Sequence, residues 1–529
     1  MALHEVIIVG SGAAGTAAAL QLTCRGIKPL ILDVGITRPG NQPKVEGNLY
    51  GFRKLHDSFQ LQIGNGFQNL LNVLARRDLP AKLITPNACF VTQSAQEMTP
   101  LDEEDFSAIQ SFAKGGLANA WGAGLYRFTE EDLHGFPFQQ KDLQQYYTDL
   151  TREIGVCGVE DDLAPFFGSA DDLLPPLKLA YNSSKLYHNY LHRRDKLHNA
   201  GFYLGRPRLG VLTEPRNGRP AFEYNNLEFW QELPAIYTPL TTLEALILVG
   251  KVDYIPAIHV DCWSAIDKGI RVDGVRVGSD EVVSFTGKRL VLAAGAINTA
   301  KIVLTTRNDY HTCLTLLENP ALQIPFVLPA SAGRKLEVDA FGLVQLNMIW
   351  RSEEFGCTLQ GSLMEITSPM RAEFFNRFPL SARANLSLIK YLLPSMILMQ
   401  LYFPTSAQPS ARLWLQENGR LRIQGQANQL DIRRLARLWR IFGRLNAWTH
   451  PRLVVRVPTG HAIHYAGTLP MKERPKEYEC DPRGKLGGEA HVYVADSAVF
   501  TALPAKNMSF TMMANAMRIA DCVVESLSL

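Results

Sequence analysis

The chain begins with a segment that decides its fold, Val6-Ile-Ile-Val-Gly10-Ser-Gly12-Ala-Ala-Gly15. Val6 to Val9 is a continuous apolar run, which is typical of a strand buried on both faces of a parallel sheet. The Ala- and Leu-rich residues from Thr16 to Cys24 favour a helix, and Lys28 to Asp33 read as a second apolar strand. Together these segments predict a complete βαβ unit.

The glycines of this unit have the spacing of a dinucleotide-binding turn. Gly10 permits the tight turn, Gly12 lets the backbone approach a pyrophosphate at the helix N-terminus, and Gly15 allows close packing of helix on strand. Asp33 ends the second strand, where a carboxylate can accept hydrogen bonds from both hydroxyls of an adenosine ribose. The unit therefore predicts a dinucleotide site rather than a Gly-rich turn in an ordinary α/β protein.

Length and composition are those of a multidomain globular protein. At roughly 150 residues per domain, the 529-residue chain has room for two or three domains. Hydrophobic residues make up 46% and charged residues 20%, values that exclude disorder as the main state. The net charge of +3 is too small to indicate a polyanionic partner, so we expect no binding of nucleic acid.

The eight cysteines are scattered without a CxxC pair, so we expect no metal site, haem or iron–sulfur cluster. This usage favours a reduced, cytoplasmic setting, and the N-terminus shows no signal peptide. The longest apolar stretch, Tyr391 to Phe403, is shorter than the ~20 residues that span a bilayer and is interrupted by Pro394. We therefore expect no transmembrane segment and interpret this stretch as a buried strand or helix edge.

A second nucleotide fingerprint is absent from the sequence. Gly64-Asn-Gly66 and Gly122-Ala-Gly124 both lack the third glycine and a preceding buried strand. One dinucleotide site without a partner site for nicotinamide suggests a flavin enzyme that receives its electrons from the substrate.

Farther along, strand-like segments return the chain to the first sheet. Tyr254 to Val260, Ile270 to Val277 and Val282 to Phe285 predict a meander. Arg289 to Ala293 predicts another buried strand, and a helix follows it through Leu304. This region therefore belongs with the nucleotide-binding sheet.

Residues 316–455 are less regular and richer in aromatic and Met residues, which favours a separate domain. Within them, Asp431 to Trp448 predicts a basic amphipathic helix with a solvated face. The C-terminal part returns to α/β character, with a strand at Val492 to Val494 and a helix from about Ser509 to Ser526.

Four segments in this order resemble the glucose-methanol-choline (GMC) family of flavoprotein oxidoreductases. The segments are the βαβ unit through Asp33, the loop Gly115-Gly116 to Trp121-Gly122, the stretch Leu292-Ala-Ala-Gly295 to Thr299, and His464-Tyr-Ala-Gly467-Thr468 with the later Val494-Ala-Asp496 and Asn507-Met508. The chain departs from the family pattern at Asp33, where Glu is more usual, at Ala300, where Pro is usual, and at Met508, where Pro is usual.

The resemblance implies an α/β fold, α+β overall, with a Rossmann-like FAD-binding domain and a substrate domain built on an antiparallel sheet with helices. The FAD-binding domain is expected to be discontinuous, at about 1–60, 105–125, 240–315 and 456–529. The substrate domain would take about 61–104, 126–239 and 316–455. The oligomeric state stays open.

The resemblance also implies the site residues. His464 and Asn507 match the family's catalytic pair, which faces the flavin N5. Asp496 matches an acid beside the ribityl chain and pyrophosphate, and Val260 matches a strand residue near the adenine. The implied cofactor-binding residues are Gly10, Gly12, Ala13, Ala14, Gly15, Asp33, Gly116, Asn119, Ala120, Trp121, Val260, Ala294, Gly295, Asp496, Asn507 and Met508.

These assignments suit the oxidation of an alcohol, which loses its hydroxyl proton and a hydride. A neutral imidazole, with an ordinary pKa of about 6.5, can accept the proton, and the Asn507 amide can donate to the developing alkoxide. We therefore expect an FAD-dependent oxidase or dehydrogenase that acts on CH–OH groups. Its electron acceptor would be oxygen or a quinone-like carrier.

The substrate is less well defined by the sequence. The Gly-Gly-x-x-x-x-Trp loop is similar to that of the sugar-oxidising branch, which favours a sugar or a glycosylated small molecule. The apolar residues between Phe374 and Phe403 could instead line a pocket for a lipophilic alcohol, and a non-redox lyase of the hydroxynitrile-lyase type is a further alternative. Non-covalent FAD is expected, because Ala120 stands where sugar-oxidising relatives have the His that attaches the flavin.

Overall fold

A computed structural model of the chain describes residues 3–40, 83, 88–168, 172–224, 234–335, 337, 341–366, 381–408 and 410–527. In these ranges the chain forms three β-sheets flanked by helices, which confirms the expected α/β fold class. The first boundary, predicted near residue 60, and the Gly64-Asn-Gly66 segment lie outside the described residues.

The strands and helices follow in chain order. The strands are β1 (Leu3–Val9), β2 (Leu30–Leu32), β3 (Leu101–Glu104), β4 (Phe202–Gly205), β5 (Asp253–Ile255), β6 (Ile258–Ile266), β7 (Gly269–Arg276), β8 (Glu281–Leu292), β9 (Leu314–Leu316), β10 (Ala321–Val327), β11 (Val344–Ser352), β12 (Cys357–Glu365), β13 (Met396–Tyr402), β14 (Ala411–Leu415), β15 (Leu421–Gln424), β16 (Val455–Arg456) and β17 (Val492–Val494). The helices are α1 (Ala13–Cys24), α2 (Ala95–Met98), α3 (Gln140–Ile154), α4 (Ala164–Phe167), α5 (Tyr181–Leu191), α6 (Arg194–His198), α7 (Pro239–Leu248), α8 (Ala296–Thr306), α9 (Ala382–Leu392), α10 (Ala436–Arg444) and α11 (Ser509–Leu527).

The first sheet combines parallel and antiparallel strands around β8. Its order is β5-β2-β1-β8-β7-β6, and β17 also pairs with β8. The β1, β2, β5 and β17 pairings are parallel, whereas β6 and β7 form an antiparallel extension. The strand interiors of β1 and β2 are fully buried. The predicted βαβ unit is therefore present, with α1 beginning at Ala13 rather than Thr16 because Gly12 is its N-cap.

Two predicted strand limits in this sheet were wrong. The segment Tyr254 to Val260 is divided into β5 and β6, because Pro256 has no N–H to donate and Ala257 has a φ of 60°. Conversely, the two strands predicted at 282–285 and 289–293 form the single strand β8. Its first half pairs with β7 and its second half with β1 and β17.

The second sheet is antiparallel throughout, in the order β16-β10-β13-β12-β11-β4. One face packs against residues of α5 and α10, where the Phe326 and Phe442 rings stack with centroids 4.1 Å apart. β13 is buried along most of its length, so the interpretation of Tyr391 to Phe403 as containing a buried strand is confirmed. Phe374, the other end of the candidate apolar pocket, lies outside the described residues.

A smaller third sheet has the order β3-β15-β14-β9. The predicted basic helix at 431–448 is shorter than expected, because residues 432–435 form a 3₁₀ turn before α10. Its Arg433 and Arg440 side chains are exposed, as a solvated face requires. Among the described helices, none has the length and apolar character needed to cross a bilayer.

Candidate active site

Four strands of the first sheet end at one edge, and a predicted site segment follows each of them. Gly10 follows β1, Asp33 follows β2, Ala294 lies just after β8, and Asp496 lies just after β17. Because the four strands are parallel, their carboxyl ends meet. A cavity of ≈ 1020 Å³ opens at this edge, and all four residues line it. This volume is at the upper end of small-molecule sites, roughly 300–1,000 Å³.

The glycines of the N-terminal turn have different structural roles. A Cβ at Gly10 (φ +97°) would lie 2.6 Å from Ala293 O, and a Cβ at Gly15 would lie 2.0 Å from Gly10 O. Gly15 is not among the residues that line the cavity, and its contact with Gly10 O shows the close packing of helix on strand that the sequence predicts. At Gly12 a Cβ would meet no atom within 4 Å and would enter the cavity that Gly12 lines.

Asp33 is held at the cavity wall by two hydroxyl groups. The Tyr254 hydroxyl donates to its carboxylate over 3.0 Å, and the Ser11 hydroxyl donates to the same oxygen. Burial raises the pKa of Asp33 to about 6, although these two hydrogen bonds oppose the rise. Ser11 Oγ also accepts from Gly115 N at 3.0 Å, and so connects the N-terminal turn to the Gly-rich loop. Sequence analysis missed both Ser11 and Tyr254.

The Gly-rich loop covers part of the cavity. Gly115 and Gly116 have φ values of +87° and +65°, and a 3₁₀ turn runs from Gly116 to Ala120. Gly116, Ala120 and Trp121 line the cavity as predicted. Asn119 is not among the lining residues. Its Nδ2 donates to Lys114 O and Gly116 O, at 2.9 and 2.8 Å, so its side chain shapes the loop instead.

Asp496 joins β17 to the beginning of α8. One carboxylate oxygen accepts from Gly295 N at 2.8 Å and from Thr299 Oγ1 at 2.6 Å, while the other accepts from Ala498 N at 2.9 Å. The residue is buried, and this burial raises the pKa of its carboxyl group. Asp496 therefore supports the cavity wall by anchoring a helix N-terminus. The other predicted residues that line the cavity are Ala13, Ala14, Val260, Ala294, Gly295 and Met508.

His464 lines the same cavity. Its Nδ1 lies 3.0 Å from Asn319 Oδ1, and its ring stacks on Tyr402 with centroids 5.1 Å apart. His461, the next candidate base, lines the cavity as well. The tertiary structure therefore brings the predicted base to the cavity that begins at the N-terminal turn.

The turn before His464 is strained and held by a buried carboxylate. Ile463 is β-branched and has a φ of 61°, which is a genuine outlier for such a residue. Glu318 accepts from Gly460 N at 2.6 Å and from Ala462 N at 2.9 Å. Burial raises the pKa of Glu318 to about 7. These two hydrogen bonds fix the turn that presents His464.

Asn507 lines the cavity immediately before α11, which begins at Ser509. Its Oδ1 is buried and makes no hydrogen bond to any residue that the structure describes. The preceding Lys506 is buried and anchors the loop, since its Nζ pairs with Asp132 and donates to Phe166 O over 2.7 Å. The Asn507 amide therefore keeps unused hydrogen-bonding capacity toward a ligand.

A polar row crosses the second sheet on its cavity side. Gln323 of β10 is the register partner of Gln400 of β13, and Gln400 is the partner of Ser362 of β12. All three line the cavity. Apolar side chains lie beside this row; they are Leu343, Val344, Met364, Leu398, Val455 and Val457. This part of the cavity lining thus combines uncharged hydrogen-bonding groups with apolar surface.

Comparison with known proteins identifies the C-terminal part of the chain. Residues 446–516, which include His464 and Asn507, match the family model described as GMC oxidoreductase. The chain carries the GMC oxidoreductase C-terminal domain. The predicted resemblance is therefore confirmed, and with it FAD as the family's cofactor. A comparison with curated proteins finds no significant match.

Solved structures of two oxidases show a similar fold over nearly the whole chain. Pyridoxine 4-oxidase from Mesorbium loti is 12% identical, with a TM-score of 0.59 and coverage of 98% of this chain and 99% of that one. Two variants of formate oxidase from Aspergillus oryzae RIB40, studied for FAD modification, are 12% and 13% identical, with TM-scores of 0.62 and 0.61. Each comparison covers 99% of this chain and 98% of the formate oxidase chain.

The cavity of this chain fits FAD. Open space above Gly12 at the N-terminus of α1 suits a pyrophosphate, since backbone N–H groups point outward there. The Asp33 carboxylate lines the same cavity, and so does Asn507, whose Oδ1 has no hydrogen-bond partner among the described residues. The residues present are therefore compatible with a bound dinucleotide.

Replacement of Gly12 by Val should give a folded, colourless protein. The backbone at Gly12 has an ordinary φ of −64°, so the fold tolerates a side chain, but that side chain occupies the space for the pyrophosphate. Gly40→Val is a matched control, because a Cβ there also meets no atom within 4 Å and lies away from the cavity lining. The FAD content of both purified variants checks this, and a yellow Gly12→Val protein would contradict it.

Proposed function

We propose that the protein oxidises the CH–OH group of a neutral, hydroxylated small molecule, with His464 as the base. One observation supports this most directly. His464 and Asn507 line the same cavity as the residues at the carboxyl ends of the parallel strands of the first sheet. The electron acceptor, oxygen or a quinone-like carrier, and the cytoplasmic location stay predictions.

The roles of the protein groups follow from the needs of the reaction. FAD, when bound, supplies the hydride acceptor. The His464 imidazole takes the proton of the substrate hydroxyl, because an alkoxide releases a hydride more readily than an alcohol. The Asn507 amide binds the same oxygen and orients the C–H bond. Buried walls formed by residues such as Tyr402 and Ala462 limit the access of water.

His464→Ala should stay folded and yellow while its anaerobic flavin-reduction rate falls by roughly 10²- to 10⁴-fold, the usual contribution of a general base. Stopped-flow measurement at saturating substrate provides the rate. His491→Ala is the control, since His491 lies outside the cavity lining and contacts Arg289. If His464→Ala stays within about threefold of the wild type, the base is another group, and His461 is the next candidate.

The polar row supports a sugar or a glycosylated molecule as substrate. The Gln323 and Gln400 amides offer both donors and acceptors, which suit several hydroxyl groups at once. The apolar residues beside them, including Met364 and Leu398, suit the alternative of a lipophilic alcohol or an apolar aglycone. A panel of sugars, glycosides and fatty or terpenoid alcohols, mixed anaerobically with the protein, separates these classes by flavin bleaching. Bleaching by no alcohol would favour the lyase alternative.

Gln400→Leu should raise the KM for the best hydroxylated substrate by up to about tenfold, because one substrate hydrogen bond is worth about 0.5–1.5 kcal/mol. It should affect fatty alcohols little. Gln360→Leu is the matched control, since Gln360 lies on the same sheet but outside the cavity lining. Equal effects of the two substitutions, or a larger loss with fatty alcohols, would argue against the polar row as the substrate contact.

The flavin should be released when the protein is denatured. A covalent bond to the flavin needs a nucleophilic side chain, and Ala120, which lines the cavity, stands where sugar-oxidising relatives have the attaching His. The neighbouring Asn119 amide is hydrogen-bonded within its own loop. Acid precipitation should therefore leave the yellow colour in the supernatant, as measured by absorbance. Colour that stays in a washed pellet would show a covalent bond.

A further inference from the structure

Asn319 lies at the centre of the hydrogen bonds behind His464. The residue is fully buried, between β9 and β10. Its Nδ2 donates to Phe403 O at 2.8 Å and to Pro504 O at 2.9 Å, and its Oδ1 lies 3.0 Å from His464 Nδ1. One amide thus connects the His464 turn, the end of β13 and the loop that leads to Asn507.

The orientation of this amide is determined by its partners. Backbone carbonyl oxygens can only accept, so the amide atom that faces both Phe403 O and Pro504 O must be the NH₂ group. The other amide atom, which faces His464, is therefore the carbonyl oxygen Oδ1. An amide oxygen has no proton to give, so the histidine nitrogen opposite it must be the donor.

We propose that Asn319 is a positioning residue that holds the proton of neutral His464 on Nδ1, and so makes Nε2 the proton-accepting atom. The proposal rests on the proposed role of His464 as the base. A neutral imidazole carries one N–H, and the partner of one nitrogen decides which nitrogen keeps the lone pair. Without Asn319 the two tautomers compete, and the Nε2–H form cannot take a proton from an alcohol.

Two described groups near His464 act differently from Asn319. The Tyr402 ring stacks on the imidazole face, with an interplanar angle of 28°, and so fixes the plane of the ring without selecting a nitrogen. The Glu318 carboxylate accepts from the N–H groups of Gly460 and Ala462. The Asn319 contact, by contrast, is made to one ring nitrogen, Nδ1.

Two substitutions separate this role from a purely structural one. Asn319→Asp and Asn319→Leu both remove the NH₂ group that donates to Phe403 O and Pro504 O, but only Asp keeps an oxygen opposite His464 Nδ1. The anaerobic flavin-reduction rate of the Asp variant should exceed that of the Leu variant by about tenfold or more, the value of one such hydrogen bond. Equal rates in the two variants would overturn the proposal.

Asn428→Leu is the matched control for loss of an amide bonded to two backbone carbonyls. Asn428 Nδ2 donates to Ala321 O at 2.9 Å and to Val457 O at 3.1 Å, and Asn428 makes no contact with His464. This variant should lose thermal stability but keep the wild-type rate of flavin reduction. If Asn428→Leu reduced the rate as much as Asn319→Leu, loss of any buried amide bonded to two backbone carbonyls would slow the reaction, and the effect at Asn319 would not be specific.

A spectroscopic measurement tests the tautomer directly. ¹⁵N NMR of the holoprotein labelled in the histidine rings, compared with His464→Ala to assign the signals, shows which nitrogen is protonated when the imidazole is neutral. A proton on Nδ1 supports the proposal, and a proton on Nε2 overturns it even if the Leu variant fails to fold. This measurement needs no substrate, so its result does not depend on the proposed oxidation. If the proposed oxidation is wrong, no alcohol will bleach the flavin.

Discussion

The parallel pairing of β8 with both β1 and β17 is the constraint on which the candidate site depends. Val6 of β1 is in register with Arg289, and Val492 of β17 is in register with Leu290. A strand from the middle of the chain therefore holds the N-terminal and C-terminal segments on its two opposite edges. Since all three strands run in the same direction, their carboxyl ends open onto one edge. A glycine turn, a helix N-terminus and a buried carboxylate meet there.

In another part of the cavity lining, a short strained turn is stabilised by buried polar groups. A non-glycine residue held at positive φ costs about 1–3 kcal/mol, and Ile463 occupies such a conformation. The Glu318 side chain offsets this through its two hydrogen bonds to the turn. Glu318 and Asn319 are adjacent in sequence, so one chain segment holds the turn and contacts the imidazole.

Local sequence patterns predicted those features that neighbouring residues in the chain determine. The apolar run at Val6 to Val9, the glycine spacing and the acidic end of β2 are each determined by nearby residues, and the structure shows all three. Strand limits were less predictable where the backbone departs from a regular path, as at Pro256, or where one strand serves two partners, as in β8. Asn119 and Gly15 were assigned to the cofactor, but their side-chain contacts and packing keep them outside the cavity lining.

The sequence by itself determined the glycine-rich turn and the family resemblance and singled out His464 and Asn507 as candidates, because short motifs with fixed spacing carry that information. Only the tertiary structure decided what surrounds them. Asn319 lies far from His464 in the chain, and the polar row of Gln323, Gln400 and Ser362 exists only through the register of three strands. Contacts of this kind depend on long-range packing, and no local pattern of residue types encodes them.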